Sequence, residues 1–209
     1  MAGSAFSSAD LLAFAGAIAS GGVRVVDLTQ TLAPEFPVIV LPPEFGQAAP
    51  FRTEEISRYD ERGPGWYWNN FTMSEHTGTH FDAPIHWITG RDLPDASVDT
   101  IPPANFVAPA CVIDVSAQCA ENPDFTLEVE HLLAWERAHG EIPKRSWVLL
   151  RTDWSRRPAR AYANMREDGA HTPGPSPEAM KWLVEARDVH GFGTETIGTD
   201  HGQAFHFNP

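Results

Sequence analysis

The sequence predicts an α/β fold, a single domain over residues 1–209 in which a mixed β-sheet packs with helices, and three observations support this. In the second half, apolar runs of strand length alternate with segments of helical pattern, as in α/β proteins. One helix start there is explicit: Ser176-Pro177-Glu178 combines an N-cap hydroxyl, a proline suited to the first helical position and an acid that suits the dipole. Of the 18 prolines, 11 fall in connections at 34–50, 102–109 and 173–177, which predicts long ordered loops draped over a sheet and shaping a pocket.

Taken in order, the chain reads first as a helix over 9–20, capped by Ser8 and ended at Gly21-Gly22. Its apolar stretch from Leu11 to Ala19 is no secretory signal core, because Asp10 precedes it and no Lys or Arg does. A strand over 23–29 follows, then a Pro-rich loop through 50 and strands near 51–58 and 66–75. Downstream come a strand at 110–115, in which Cys111 reads as a buried thiol, and a helix at 126–139 opened by Thr126, with Glu128 and Glu130 in its first turns. A strand at 146–152, a helix from 177 to 188 and a strand over 192–198 complete the reading. Asp153 reads as a turn or cap residue. No internal repeat, linker or low-complexity segment interrupts the series.

Composition limits the function. The formal net charge of -13 argues against nucleic acid, whose phosphates demand Lys and Arg, and gives no attraction to anionic lipid. No stretch reaches the roughly 18 apolar residues that cross a bilayer, so no membrane partner is expected and the cytoplasm is the expected location. Two cysteines, Cys111 and Cys119, are too few for a disulfide framework; Cys119 reads as free, and neither is a good nucleophile.

The chemistry concentrates in residues 76–86, His-Thr-Gly-Thr-His-Phe-Asp-Ala-Pro-Ile-His, which hold three imidazoles and a carboxylate. Imidazole and carboxylate suit zinc or manganese, and three protein ligands with an open position characterise a catalytic metal. His76, His80, Asp82 and His86 share one parity. An extended strand would put them all on one face, yet four residues of strand span roughly 13 Å, too far for bonds of about 2 Å to one ion. A helix would bring 76 and 80 together, but Gly78, two threonines and Pro84 oppose it. The expectation is a strand that curls at Gly78 into a loop, with His76, His80 and Asp82 turned inward and His86 facing the same cavity. Trp66, Tyr67 and Trp68 follow the Gly63-Pro64-Gly65 turn, and Trp87 follows His86. Trp66, Trp68 and Trp87 are candidates for an aromatic wall against a flat substrate, the alternative being ordinary core. His131, His139, His171 and His190 are scattered through helix and loop sequence and receive no role.

The run HTGTHFDAPIH resembles the HxGTHxDxPxH signature of the cyclase-like metal hydrolases, the family of bacterial kynurenine formamidase and isatin hydrolase. Segments at 25–29, 173–176 and 197–200 resemble further family motifs in order and separation. The stretch at 55–60, Trp66-Tyr67-Trp68 and Trp87 look more like isatin hydrolase than the formamidase. The resemblance implies a swivelling β/β/α fold and one divalent ion, manganese or zinc, on His76, His80 and Asp82. It implies His86 as the general acid/base, a small cyclic or aryl amide as substrate, and a homodimer. Family members run on for several tens of residues past the position matching Asn208-Pro209, with a further histidine and a Glu or Gln near the metal. The expectation is therefore a truncated form, the alternative being that His201 or His206 fills that place. Two other readings stay open: a metal-binding homologue without turnover, and a structural domain whose histidines satisfy one another.

Overall fold

A computed structural model describes residues 6–204, and the chain divides into two compact units, Met1–Thr31 and Leu32–Pro209. In the first unit, α1 (Ser8–Ala19) opens with a capping box. The Ser7 Oγ accepts from the Asp10 N–H at 3.2 Å, and the Ser7 N–H donates to Asp10 Oδ2 at 2.9 Å, so the cap is Ser7 and not the expected Ser8. Gly21, at φ 76°, ends the helix where predicted. The expected strand over 23–29 does not form: the segment has no ladder, and the Thr29 N–H turns onto the Asp27 carboxylate at 2.9 Å, a local bond that competes with strand pairing.

The second unit begins with an antiparallel ribbon, β1 (Arg52–Asp60) and β2 (Gly63–Thr72), close to the expected strands and bulged between Glu55 and Ser57 and between Arg58 and Asp60. After the loop that carries the candidate site come β3 (Ala110–Asp114), α2 (Ser116–Glu121), β4 (Thr126–Leu127) and α3 (Val129–His139). Then follow β5 (Trp147–Arg151), the short strands β6 (Met165–Arg166), β7 (Gly169–Ala170) and β8 (Gly174–Pro175), α4 (Pro177–Arg187) and β9 (Gly191–Gly193). Among the described residues parallel and antiparallel pairing both occur, spread over four sheets: β1-β2 and β6-β7 antiparallel, β3-β5-β9 and β4-β8 parallel.

Two sequence expectations shift here, and one short helix is additional. Thr126 does not open a helix, because it pairs with Gly174 in β4-β8, and α3 starts three residues later behind Glu128, whose N–H donates to His131 Nδ1 at 2.9 Å. The last strand stops at Gly193 rather than 198. Beyond it the hydroxyls of Thr194 and Thr196 bond each other, and Thr196 Oγ1 donates to the Gly198 carbonyl at 2.7 Å, drawing the chain off the ladder. The short helix α2 escaped notice; its start is held by Asp114 Oδ1, which accepts from the Ser116 N–H and Oγ.

β3 and β5 alternate in burial, so one face of the parallel ladder meets α3 and α4. Cys111, Ile113, Val148 and Leu150 pack there with Leu132, Ala179 and Leu183, and Cys119 is free and buried beside them. The Arg187 guanidinium grips Glu136 with two bonds, Nε to Oε1 at 2.6 Å and Nη2 to Oε2 at 2.8 Å, so α4 is tied to α3, and it lies over the Trp182 ring. Glu136 also accepts from the Ile142 N–H at 2.9 Å. The guanidinium holds the Glu136 carboxyl below its ordinary 4.5.

Leu132→Ala, at a fully buried site, is expected to cost about 2–5 kcal/mol in urea unfolding. Glu136→Gln is expected to cost about 1–3 kcal/mol near neutral pH. Because the folded-state pKa of Glu136 is depressed, its contribution is complete above the ordinary value and is lost as pH falls through the folded one. The gap between wild type and Glu136→Gln should therefore hold from about pH 7 to about pH 5 and close below 4.5. A gap independent of pH would show that the ion pair contributes nothing.

Candidate metal centre

β2 ends at Thr72 and the chain leaves the ribbon as irregular backbone. The Ser74 N–H donates to the Ala49 carbonyl at 3.0 Å, and the Ser74 carbonyl and hydroxyl then accept from the Thr77 and His76 N–H groups, which starts a tight turn. At its apex Gly78 takes φ 77°, the curl expected from sequence. A side chain there would be strained, and its Cβ would lie 2.6 Å from Leu32 Cδ2. Pro84–His86 form a single 3-10 turn that carries the chain away.

This bend gathers the predicted donors. His76, His80 and Asp82 each offer a ligand atom within 4.8 Å of the other two, a grouping that occurs once among the described residues. Asp82 Oδ1 lies 2.7 Å from His76 Nδ1 and 3.2 Å from His80 Nε2. Donors at about 2 Å from one tetrahedral ion sit roughly 3.3 Å apart, so the trio is close to the required size. His80 Nδ1 donates to the Gly78 carbonyl at 2.7 Å, because a carbonyl can only accept. In the protonated ring Nε2–H faces Asp82 at 3.2 Å, and loss of that proton to an ion would leave Nδ1–H on the carbonyl and the Nε2 lone pair free, the outer support that ligating histidines ordinarily have. The hydrogen bond from His80, with His76 adding to it, pushes the Asp82 carboxyl down to about 2, and Asp82 in turn raises His80. The group thus presents a permanent negative charge with two imidazoles, a donor set that fits zinc or manganese.

His86 stands outside the trio and against it: its ring centroid is 4.1 Å from that of His76, and the Trp87 and His86 rings meet edge-on at 4.7 Å. Trp66 and Trp68 lie on β2, each about half exposed, and the Trp66 indole folds back over Gly63. His201 sits apart from the trio with its Nδ1 buried and without a hydrogen bond; His206 lies outside the described residues. Asp153 is a turn residue at φ 56°, holding Arg151 and Arg156.

Two features escaped sequence reasoning. His171, passed over as a lone histidine, is buried between Asp124 at 2.8 Å and Asp168 at 2.9 Å, and nothing in its local sequence shows a partner 47 residues away. Phe81, between His80 and Asp82, packs on Phe106 and Trp147. The signal for it was present: in extended chain it faces away from its two neighbours.

The model of the family described as "Putative cyclase" matches residues 26–201. An isatin hydrolase of Roseibium aggregatum is 46% identical over 193 residues, 91% of this chain and 73% of that protein. A kynurenine formamidase of Bacillus cytotoxicus is more distant, 30% identical over 71% of this chain and 73% of its own length. The structure of isatin hydrolase A from Ralstonia solanacearum superposes with a TM-score of 0.93 at 59% identity, covering 100% of this chain and 80% of that one. With the family model matching residues 26–201 and a relative 46% identical over 91% of the chain, the chain belongs to the cyclase family.

Proposed function

We propose that the chain is a metal-dependent hydrolase that opens the ring amide of isatin to isatinate. The observation that carries this reading is 46% identity over 91% of the chain to a protein named isatin hydrolase, with the His76, His80 and Asp82 donors gathered in one loop. N-formylkynurenine is the second candidate substrate, supported by the more distant formamidase. The same reading takes residues 1–209 as one hydrolase domain, working as a homodimer in the cytoplasm. No helix among the described residues is long and apolar enough to cross a membrane.

His76 and His80 offer ring nitrogens and Asp82 an oxygen to one divalent ion, manganese or zinc. When bound, such an ion lowers the pKa of a water toward about 7 and polarises a carbonyl. The remaining tasks fall to the protein. His86 accepts the proton of the attacking water and returns it to the leaving nitrogen on this reading, supported by its contact with His76. Water oxygen bonds to the amide carbon, the C–N bond breaks, the nitrogen takes up one water proton through His86, the other passes to solvent, and a carboxylate remains. Trp87 fixes the His86 ring and offers a flat apolar face beside it. Trp66 and Trp68 are proposed to contribute to the same pocket.

The purified chain should take up manganese or zinc stoichiometrically by elemental analysis, and His80→Ala or Asp82→Ala should not. Gly78→Ala, strained at φ 77° and blocked by Leu32, should lose metal as well. His86→Ala should keep its ion and lose at least about a hundredfold in isatin turnover. Loss of metal from His86→Ala would make that residue a ligand. A loaded wild type that opens neither isatin nor N-formylkynurenine would end the hydrolase reading.

A further inference from the structure

The loop that carries the trio has an apolar back. His80 and Asp82 approach each other to 3.2 Å on one side. The ring of Phe81, a residue 39% exposed, meets Phe106 edge-on at 5.0 Å and Trp147 edge-on at 5.9 Å, while Phe106 and Trp147 stack at 20° with centroids 6.2 Å apart. Both contacts are edge-to-face, an orientation favoured by the ring quadrupoles and therefore directional.

Trp147 is a fixed point. It is the first residue of β5, bound through its backbone N–H to the Pro109 carbonyl at 2.9 Å and through indole Nε1 to the Asn105 carbonyl at 3.0 Å. Its neighbour across the parallel ladder is Gly191 of β9. The indole lies over that glycine so closely that a Cβ at 191 would fall 2.4 Å from Cζ3. A glycine in a strand weakens it unless close approach demands one, and here the indole does.

We propose that Phe81 is a positioning residue for the His80–Asp82 pair, with its ring clamped by Phe106 and by a Trp147 indole that depends on Gly191 for its place. Phe81 touches no reacting atom. It acts by fixing the backbone between two donors whose separation a metal must match within tenths of an ångström. The clamp complements Leu32 beneath Gly78, so the loop is braced under its apex and behind its ligand pair. Gly191 thereby belongs to the metal loop's support, although it lies on the far side of β5 in the ladder and more than a hundred residues along the chain.

This inference rests on the metal reading above, and the test separates the two. Manganese affinity is measured by competition with a chromophoric chelator, and the melting temperature of the metal-free protein is measured alongside, for wild type, Phe81→Ala, Gly191→Ala and Leu132→Ala. Phe81→Ala should weaken manganese binding about tenfold or more, the scale on which outer supports of metal ligands act. Gly191→Ala, by pushing the indole aside, should weaken it in the same direction. Leu132→Ala, in the core away from the loop, should lower the melting temperature at least as far as either and leave affinity within about twofold of wild type. Unchanged affinity in Phe81→Ala overturns the proposal. So does a loss in Leu132→Ala that tracks melting temperature on the same line as the others, since Phe81 would then act through stability alone. Normal affinity in Gly191→Ala beside weak affinity in Phe81→Ala overturns the part played by Trp147. A wild type that binds no manganese or zinc sinks the metal reading itself.

Discussion

Asp82 Oδ1 lies within 2.7 Å of one imidazole and 3.2 Å of another, and no regular backbone can hold three side chains from residues 76–82 that way. A strand spreads them along its length at about 3.3 Å per residue. A helix could bring 76 and 80 together, but the φ of 77° at Gly78 is left-handed and ends any helical run. The donors meet only in a one-of-a-kind bend, and such a bend has no ladder of its own to maintain it. Its stability has to come from outside: the Ala49 carbonyl at its entrance, Leu32 under its apex and the Phe106–Trp147 pair behind it. The scaffold is to be understood as the supplier of those supports.

The same constraint explains the division of labour in the second unit. The parallel ladder β3-β5-β9 gives one face to the core with α3 and α4, and the first residue of its central strand faces the metal loop. A core made of Leu, Ile, Val and Cys is tolerant of moderate change in volume. The aromatic contacts at Phe81 are directional, and tolerate less. Stability and site geometry are thus carried by different residues on the same strands, which is why a variant can be expected to lose one without the other.

How much of this was legible depended on whether the deciding interaction was local. Ser176-Pro177-Glu178 marked α4 because cap, proline and dipole act within one turn, and the alternation in β3 and β5 marked strands because period 2 is written in consecutive residues. The trio was legible for the same reason: all three donors and the glycine that bends between them lie within seven residues. Thr126 misled because its hydroxyl suits a helix cap while its backbone had a partner at Gly174, 48 residues on. The segment at 23–29 has strand composition, yet an Asx bond from Asp27 acts over two residues and no ladder partner acts at all. His171 was invisible because its burial is set by Asp124, which sequence distance hides.

Charge separates the near field of the site from the far field of the chain. The chain carries -13, yet the trio contributes only one negative charge, since Asp82 stays ionised with its carboxyl at about 2 and the two imidazoles can serve as neutral donors. A donor set of charge minus one is short of neutralising a divalent cation, so the loaded centre would keep a net positive charge where an amide carbonyl must be polarised. Glu75, with Oε1 3.6 Å from His76 Nε2, adds an exposed carboxylate beside the centre, whereas acids beyond a Debye length of about 8 Å at physiological salt are largely screened from it. Attraction of a carbonyl is accordingly a property of the loop, and the surface charge acts on what leaves. A carboxylate product moving away from the centre enters a field of its own sign, which favours departure without weakening the contacts that acted during the reaction.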